Sequence, residues 1–122
     1  MSLGVIHVQP EEQAFRDLCD DVCKKTFSTL LLEDCEPEFQ RVVDRVQTHP
    51  EHRQLYASVF QDMVHTDTRD RVVGSHYLLG YCMRVLRWPE VADKIRDRMK
   101  DEWLYNPEGE YLKKILAYYH DA

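Results

Sequence analysis

The stretch Val72-Val73-Gly74-Ser75-His76-Tyr77-Leu78-Leu79-Gly80-Tyr81-Cys82-Met83-Arg84-Val85-Leu86 decides the fold. At helical spacing its apolar residues lie nearly all round the cylinder, and a helix apolar on every side belongs in the middle of a domain. The pattern gives a helix over about 68–87, opened by Asp67 three residues ahead of Asp70 in an N-cap arrangement close to a capping box. Gly74 and Gly80 each cost such a helix about 1 kcal/mol relative to alanine, a loss that close approach of a neighbouring helix backbone would offset. Pro89 cannot continue the helix and biases Trp88 away from the helical region, so the chain turns at Arg87-Trp88.

Working outward, every proline is followed by glutamate: Pro10-Glu11, Pro37-Glu38, Pro50-Glu51, Pro89-Glu90 and Pro107-Glu108. Proline suits the first helical position because its φ is fixed near the helical value and it has no N–H to leave unsatisfied. The carboxylate that follows meets the positive end of the helix dipole. With Asp67 these pairs predict six helices, over about 10–31, 37–48, 50–65, 68–87, 89–104 and 107–120. Each of the other five carries an apolar stripe at steps of three and four residues, such as Phe15, Leu18, Cys19, Val22 and Cys23 in the first and Phe39, Val42, Val43 and Val46 in the second. The fifth turns Val91, Ala92, Ile95, Met99 and Trp103 inward. No run alternates apolar and polar residues, so strands are not expected.

The fold class is therefore all-α, in one domain spanning residues 1–122. Pro10 to Pro50 and Pro50 to Pro89 are separated by nearly equal stretches, each reading as helix, polar turn and helix. A period near 40 residues is that of helical-hairpin repeats such as HEAT or armadillo units. The apolar offsets within each block agree only loosely, which leaves two arrangements: three stacked hairpins or a compact irregular bundle.

Charge is unevenly placed. Residues 1–40 hold nine acids against three bases, whereas the remainder balances. Asp17, Asp20, Asp21, Glu33, Asp34, Glu36 and Glu38 make up most of the excess. They read as a solvated helix face or as a docking surface for a basic protein, since such a field steers encounter. Nothing resembles the basic stripe that supplies nucleic-acid affinity. No segment approaches a membrane span and the start lacks a secretory pattern, so the expected location is the cytoplasm and the four cysteines are expected to be reduced.

Candidate chemistry is thin. Cys19 and Cys23 share a helix face but lie inside its apolar stripe, where cysteine behaves as a small hydrophobe. Cys35 falls in Glu33-Asp34-Cys35-Glu36-Pro37-Glu38 and reads as a loop cysteine whose neighbours disfavour the thiolate. Asp62 and His65 have a carboxylate-x-x-His spacing, yet no Glu-x-x-His pair completes a di-iron set and no CxxC or HxxxH supplies zinc. No metal or cofactor is expected. Four glycines, Gly4, Gly74, Gly80 and Gly109, cannot assemble a phosphate-cradling loop. His76 falls on the apolar side of the central helix beside Tyr77 and near Tyr81, where it reads as a neutral histidine satisfied by a neighbour or as the acid or base of a pocket.

The last third is rich in rings. Trp88, Trp103, Tyr105, Tyr111, Tyr118 and Tyr119 exceed what two terminal helices usually bury against each other, so either some reach the surface or together they complete a small core. Aromatic and arginine side chains dominate interface hot spots, and Arg84 and Arg87 lie close by. The expectation is a non-catalytic protein–protein interaction module, of an adaptor, inhibitor or immunity-type neutraliser kind. Its contacts would be the acidic surface or the aromatic and arginine-rich C-terminal third. The alternative is a small enzyme or ligand-binding domain with a pocket beside the central helix at His76, Tyr77 and Tyr81. Self-association through the sixth helix is a third reading.

Overall fold

The computed structural model describes residues 10–27, 32–64, 74–101 and 106–119. They form six α-helices: α1 Pro10–Phe27, α2 Leu32–Thr48, α3 Arg53–Val64, α4 Gly74–Leu86, α5 Pro89–Arg98 and α6 Asn106–Ala117. A 3₁₀ turn, Pro50–His52, leads into α3. Among the described residues there is no strand, and no helix is long and apolar enough to cross a membrane.

Pro10 and Pro89 are the first residues of their helices, Pro50 opens the 3₁₀ turn and Pro107 stands second in α6. Pro37 does not open a helix. It is the sixth residue of α2, which begins at Leu32. Proline has no N–H for the carbonyl four residues back, so a compensating contact must hold the preceding turn. Burial of Cys35 supplies it: Cys35 and Phe39, one turn apart, are both 3% exposed and face the core together. The Cys35 thiol also points at the Thr26 carbonyl near the end of α1, at 4.0 Å. Cys35 is thus a buried helical residue and not a loop cysteine. Helix α5 stops at Arg98, six residues short of the expected end. The expected start of the central helix at Asp67, with Val72 and Val73, lies outside the described residues, as does Trp103.

Packing follows the helix order. Helices α1, α3 and α5 adjoin in one row and α2, α4 and α6 in a second, while α1–α2, α3–α4 and α5–α6 touch between the rows. A further diagonal contact joins α1 to α4. The central helix thereby meets α1, α2, α3 and α6, and Leu78, Leu79, Cys82 and Met83 are completely buried. A column of rings runs from α1 through α3: Phe15 meets Tyr56 at 4.4 Å and Phe60 at 5.6 Å, and Phe60 meets Trp88 edge-on at 5.7 Å.

The close approach anticipated at Gly80 comes from side chains of α6, not from a helix backbone. A Cβ there would stand 3.2 Å from the Tyr111 hydroxyl and 3.4 Å from Ile115. At the other end of α4, Arg87 takes a left-handed φ of 51° and its N–H caps the Met83 carbonyl at 2.9 Å. Trp88 then runs extended into Pro89, as the proline demands.

A side chain larger than a methyl at position 80 must therefore push against Tyr111 and Ile115 of α6. Gly80→Leu is expected to lower stability by about 1–3 kcal/mol through overpacking, with Gly80→Ala close to neutral because a gain in helix propensity of about 1 kcal/mol offsets the shift of Tyr111. Urea unfolding followed by circular dichroism measures both.

Candidate functional site

The helix starts at Pro10 and Pro89 place Glu11 and Glu90 where arginines of other helices reach them. Glu11 accepts hydrogen bonds from Arg45 of α2, with Nε at 2.9 Å and a second from Nη2, and from the Tyr56 hydroxyl of α3 at 2.6 Å. The Arg45 hydrogen bond chiefly holds the Glu11 carboxyl down to about 2 from an ordinary 4.5. Burial, and then the hydrogen bond to Glu11, push the Tyr56 hydroxyl up to about 12. Arg53 forks onto Glu90 of α5, at 3.0 Å through Nη2, while its guanidinium stacks 4.3 Å above Trp88. The Tyr119 hydroxyl donates to the Trp88 carbonyl at 2.9 Å. A shallow groove of about 500 Å³ opens beside this end, lined by Glu12, Pro50, Glu51, His52, Arg53 and Leu55 among others.

The acidic residues lie on α1 and α2. Asp17, Asp20, Asp34 and Glu36 are exposed, and Asp21 and Glu38 are partly covered. Arg41 brings the last two together, at 3.1 Å from Asp21 and 2.6 Å from Glu38, and Lys25 reaches Asp21 at 3.2 Å. The hydrogen bond from Arg41 is the main cause of a lowered Asp21 carboxyl. Asp17 accepts from Gln13 at 2.8 Å, and Glu36 lies 3.5 Å from Arg84 of α4. Glu33 stands in the first turn of α2.

Two of the expected surface rings, Trp103 and Tyr105, lie outside the described residues. Trp88 is 9% exposed, so it belongs to the core. Tyr111 presents its ring edge-on to Tyr77 at 4.8 Å, and Tyr118 and Tyr119 are half-buried against the same core. The rings described here finish the packing; the exposed large apolar side chain among the described residues is Val85. Arg84 and Arg87 are exposed beside it.

His76, Tyr77 and Tyr81 do not converge. His76 is buried at 2% exposure, Tyr77 turns to α6, and Tyr81 packs on Phe39 and donates to Gln40 of α2. None of the three lines the groove beside α3 or a second, smaller one at Gln61, Glu90, Asp93, Lys94 and Asp97. Cys19, Cys23, Cys35 and Cys82 are buried thiols outside any disulfide, and burial pushes those of Cys19 and Cys82 far up. Among the described residues no three metal-ligating side chains gather as an ion would require.

Sequence reasoning passed over Glu11, Arg41, Arg45, Arg53 and Tyr56, the residues that tie the helices. A signal was present: Arg41 and Arg45 are four apart on one flank of the α2 stripe, where an arginine reaches across to a neighbouring helix. No protein-family model, curated protein or solved structure matches the chain.

The Glu11 carboxyl is lower in the folded chain than in the unfolded one. Its contribution is therefore full above about pH 4.5 and lost as the pH falls toward about 2. Glu11→Gln is expected to cost about 1.5–3 kcal/mol at neutral pH by removing a charge-assisted acceptor from Arg45 and Tyr56. Between about pH 4.5 and 2 its stability should decline less steeply than that of the parent chain. Urea unfolding across that pH range gives both quantities.

Proposed function

We propose that the chain is a non-catalytic protein-binding module whose acidic α1–α2 surface docks a basic partner. The observation that carries this reading is the segregation of charge onto two adjoining helices: α1 and α2 together hold ten acids against five bases. Arg41 divides its one positive charge between Asp21 and Glu38, so the helices' own pairing does not cancel the excess. A field of one sign on one side of a small domain raises the rate of encounter with an oppositely charged surface and aligns it on arrival.

The rigidity such a module needs is available. Helices α1 and α2 are joined to α3 through Glu11, Arg45 and Tyr56, so the acidic side chains stand on a fixed frame and little ordering accompanies binding. The order of contacts between helices also supports a likeness to stacked-hairpin binding proteins of the HEAT or armadillo kind, whose rows of helices serve as docking faces.

The test uses tagged chain as bait in an extract of the source cells, with the triple variant Asp17→Lys, Asp20→Lys, Asp34→Lys alongside. A partner retained at roughly 50 mM salt should be released near 500 mM, where screening shortens the reach of surface charge to a few ångströms. The variant should fail to retain it while keeping the parent's helical circular dichroism and a cooperative unfolding transition. A partner held equally by both baits at both salt concentrations would refute the acidic docking surface.

A further inference from the structure

Two surface grooves meet at one ion pair. The first, of about 500 Å³, lies between α1 and the start of α3 and is lined by Glu12, Glu51, Arg53 and Leu55 among others. The second, of about 400 Å³, lies between α3 and α5 and is lined by Gln61, Glu90, Asp93, Lys94 and Asp97. Arg53 of the first groove donates through Nη2 to Glu90 of the second at 3.0 Å, and Gln61 donates to the Glu90 carbonyl at 3.2 Å. The grooves therefore abut on either side of that fork, across the row formed by α1, α3 and α5. Carboxylates predominate along them. Arg16 divides its charge between Glu12 and Asp62 at 3.0 and 2.6 Å, Arg53 is taken by Glu90, and Arg96 reaches Asp93 at 3.0 Å. With Lys94 these are four cations for the six carboxylates Glu12, Asp62, Glu51, Glu90, Asp93 and Asp97. Glu51 faces the His49 ring at 3.5 Å, and among the described residues neither Glu51 nor Asp97 is bridged by an arginine or lysine. Each groove thus holds one such acid.

We infer that the two grooves together hold an extended basic segment of a protein partner, with one cationic side chain in each. The inference rests on reading the chain as a binder of basic protein, but not on Asp17, Asp20 or Asp34. Arg53 and Gln61, which line one groove each, are eight residues apart on α3, about 12 Å along its axis. An extended chain covers that distance in about four residues, and side chains four apart stand on the same side of it. An arginine at the first position lays its methylenes on Leu55 and its charge beside Glu51 and Glu12, and an arginine four residues on meets Asp97 and Asp93. The Arg53–Glu90 fork, stacked 4.3 Å above Trp88, stays closed between them. Grooves of this size suit single side chains, and their acids repel a phosphate backbone.

The experiment measures fluorescence anisotropy of labelled peptides on the full chain at roughly 100 mM salt, where surface charge reaches about 10 Å. The probes are Gly-Arg-Ser-Ser-Ser-Arg-Gly, its isomer Gly-Arg-Arg-Ser-Ser-Ser-Gly, and the counterpart of the first with glutamate for arginine. The spaced peptide is expected to bind about five-fold tighter than the isomer, and the glutamate peptide not at all. Glu51→Lys and Asp97→Lys, one in each groove, should each weaken the spaced peptide about five-fold or more while keeping the parent's helical circular dichroism. Where either fails to fold, Glu51→Gln or Asp97→Asn takes its place, with a loss of about three-fold. The triple lysine variant of the α1–α2 surface should hold the spaced peptide within about two-fold, so its failure in the cell extract and failure of the groove variants here are separate results. The inference is overturned if the parent chain ignores the spaced peptide, if the two isomers bind alike, or if the groove variants leave it bound. It is equally overturned if the triple variant weakens the peptide as much as they do, because overall charge would then be the cause.

Discussion

The packing depends on α4 meeting both rows of helices at once. Its Leu78, Leu79, Cys82 and Met83 keep no contact with water, and four neighbours are needed to cover them. Burying one such side chain contributes about 1.5–3 kcal/mol, so the four outweigh any exposed ion pair in the molecule, each worth about 0–1 kcal/mol. The neighbours have no comparable freedom to rearrange. Gly80 lets α6 approach until Tyr111 and Ile115 lie against the helix, which fixes the second row at the distance set by a missing side chain.

Polar links then do a different job. Arg16–Asp62, Arg41–Asp21 and Arg84–Glu36 join separate helices, but their side chains are between 36% and 60% exposed and contribute little stability. What they limit is sliding, because an apolar stripe tolerates shifts along its length and a forked guanidinium does not. The Glu11 node is the stronger case. Its carboxylate is only 16% exposed and shared by an arginine and a tyrosine hydroxyl from two other helices, so all three helices are registered at one point. Cutting one of these partners would leave the others partly desolvated, which makes the node costly to disturb.

Much of the architecture was legible because proline and apolar spacing act locally. Pro10 and Pro89 sit where a residue without an N–H is harmless, and the stripe of α1 buries Phe15, Cys19, Val22 and Cys23 as its spacing implies. Pro37 was misread for the same reason: the rule for helix starts is local, whereas Cys35 is buried by a contact with α1 that no spacing reveals. The site suffered more. Counting charges finds an acidic third but not that Arg41 spans Asp21 and Glu38, and counting rings suggests a sticky surface where Trp88 in fact closes the core against Phe60. His76, Tyr77 and Tyr81 are neighbours in sequence, and the helix turns them toward different partners. Tertiary pairing decides each of these, and a single sequence carries no record of it.

Two positions break local rules, and the difference between them is informative. Pro37 interrupts the hydrogen bonding of α2, but the turn ahead of it is held by buried Cys35 and by Glu36 reaching Arg84, so the defect is compensated inside the chain. Arg87 occupies a position that glycine fills at lower energy, but its N–H caps the Met83 carbonyl at 2.9 Å and Pro89 two residues on forbids the helix to continue, so the local cost closes the end of α4. One exception is thus held by tertiary burial and the other by a local cap, so each departure from a local rule is answered at a different level of the structure.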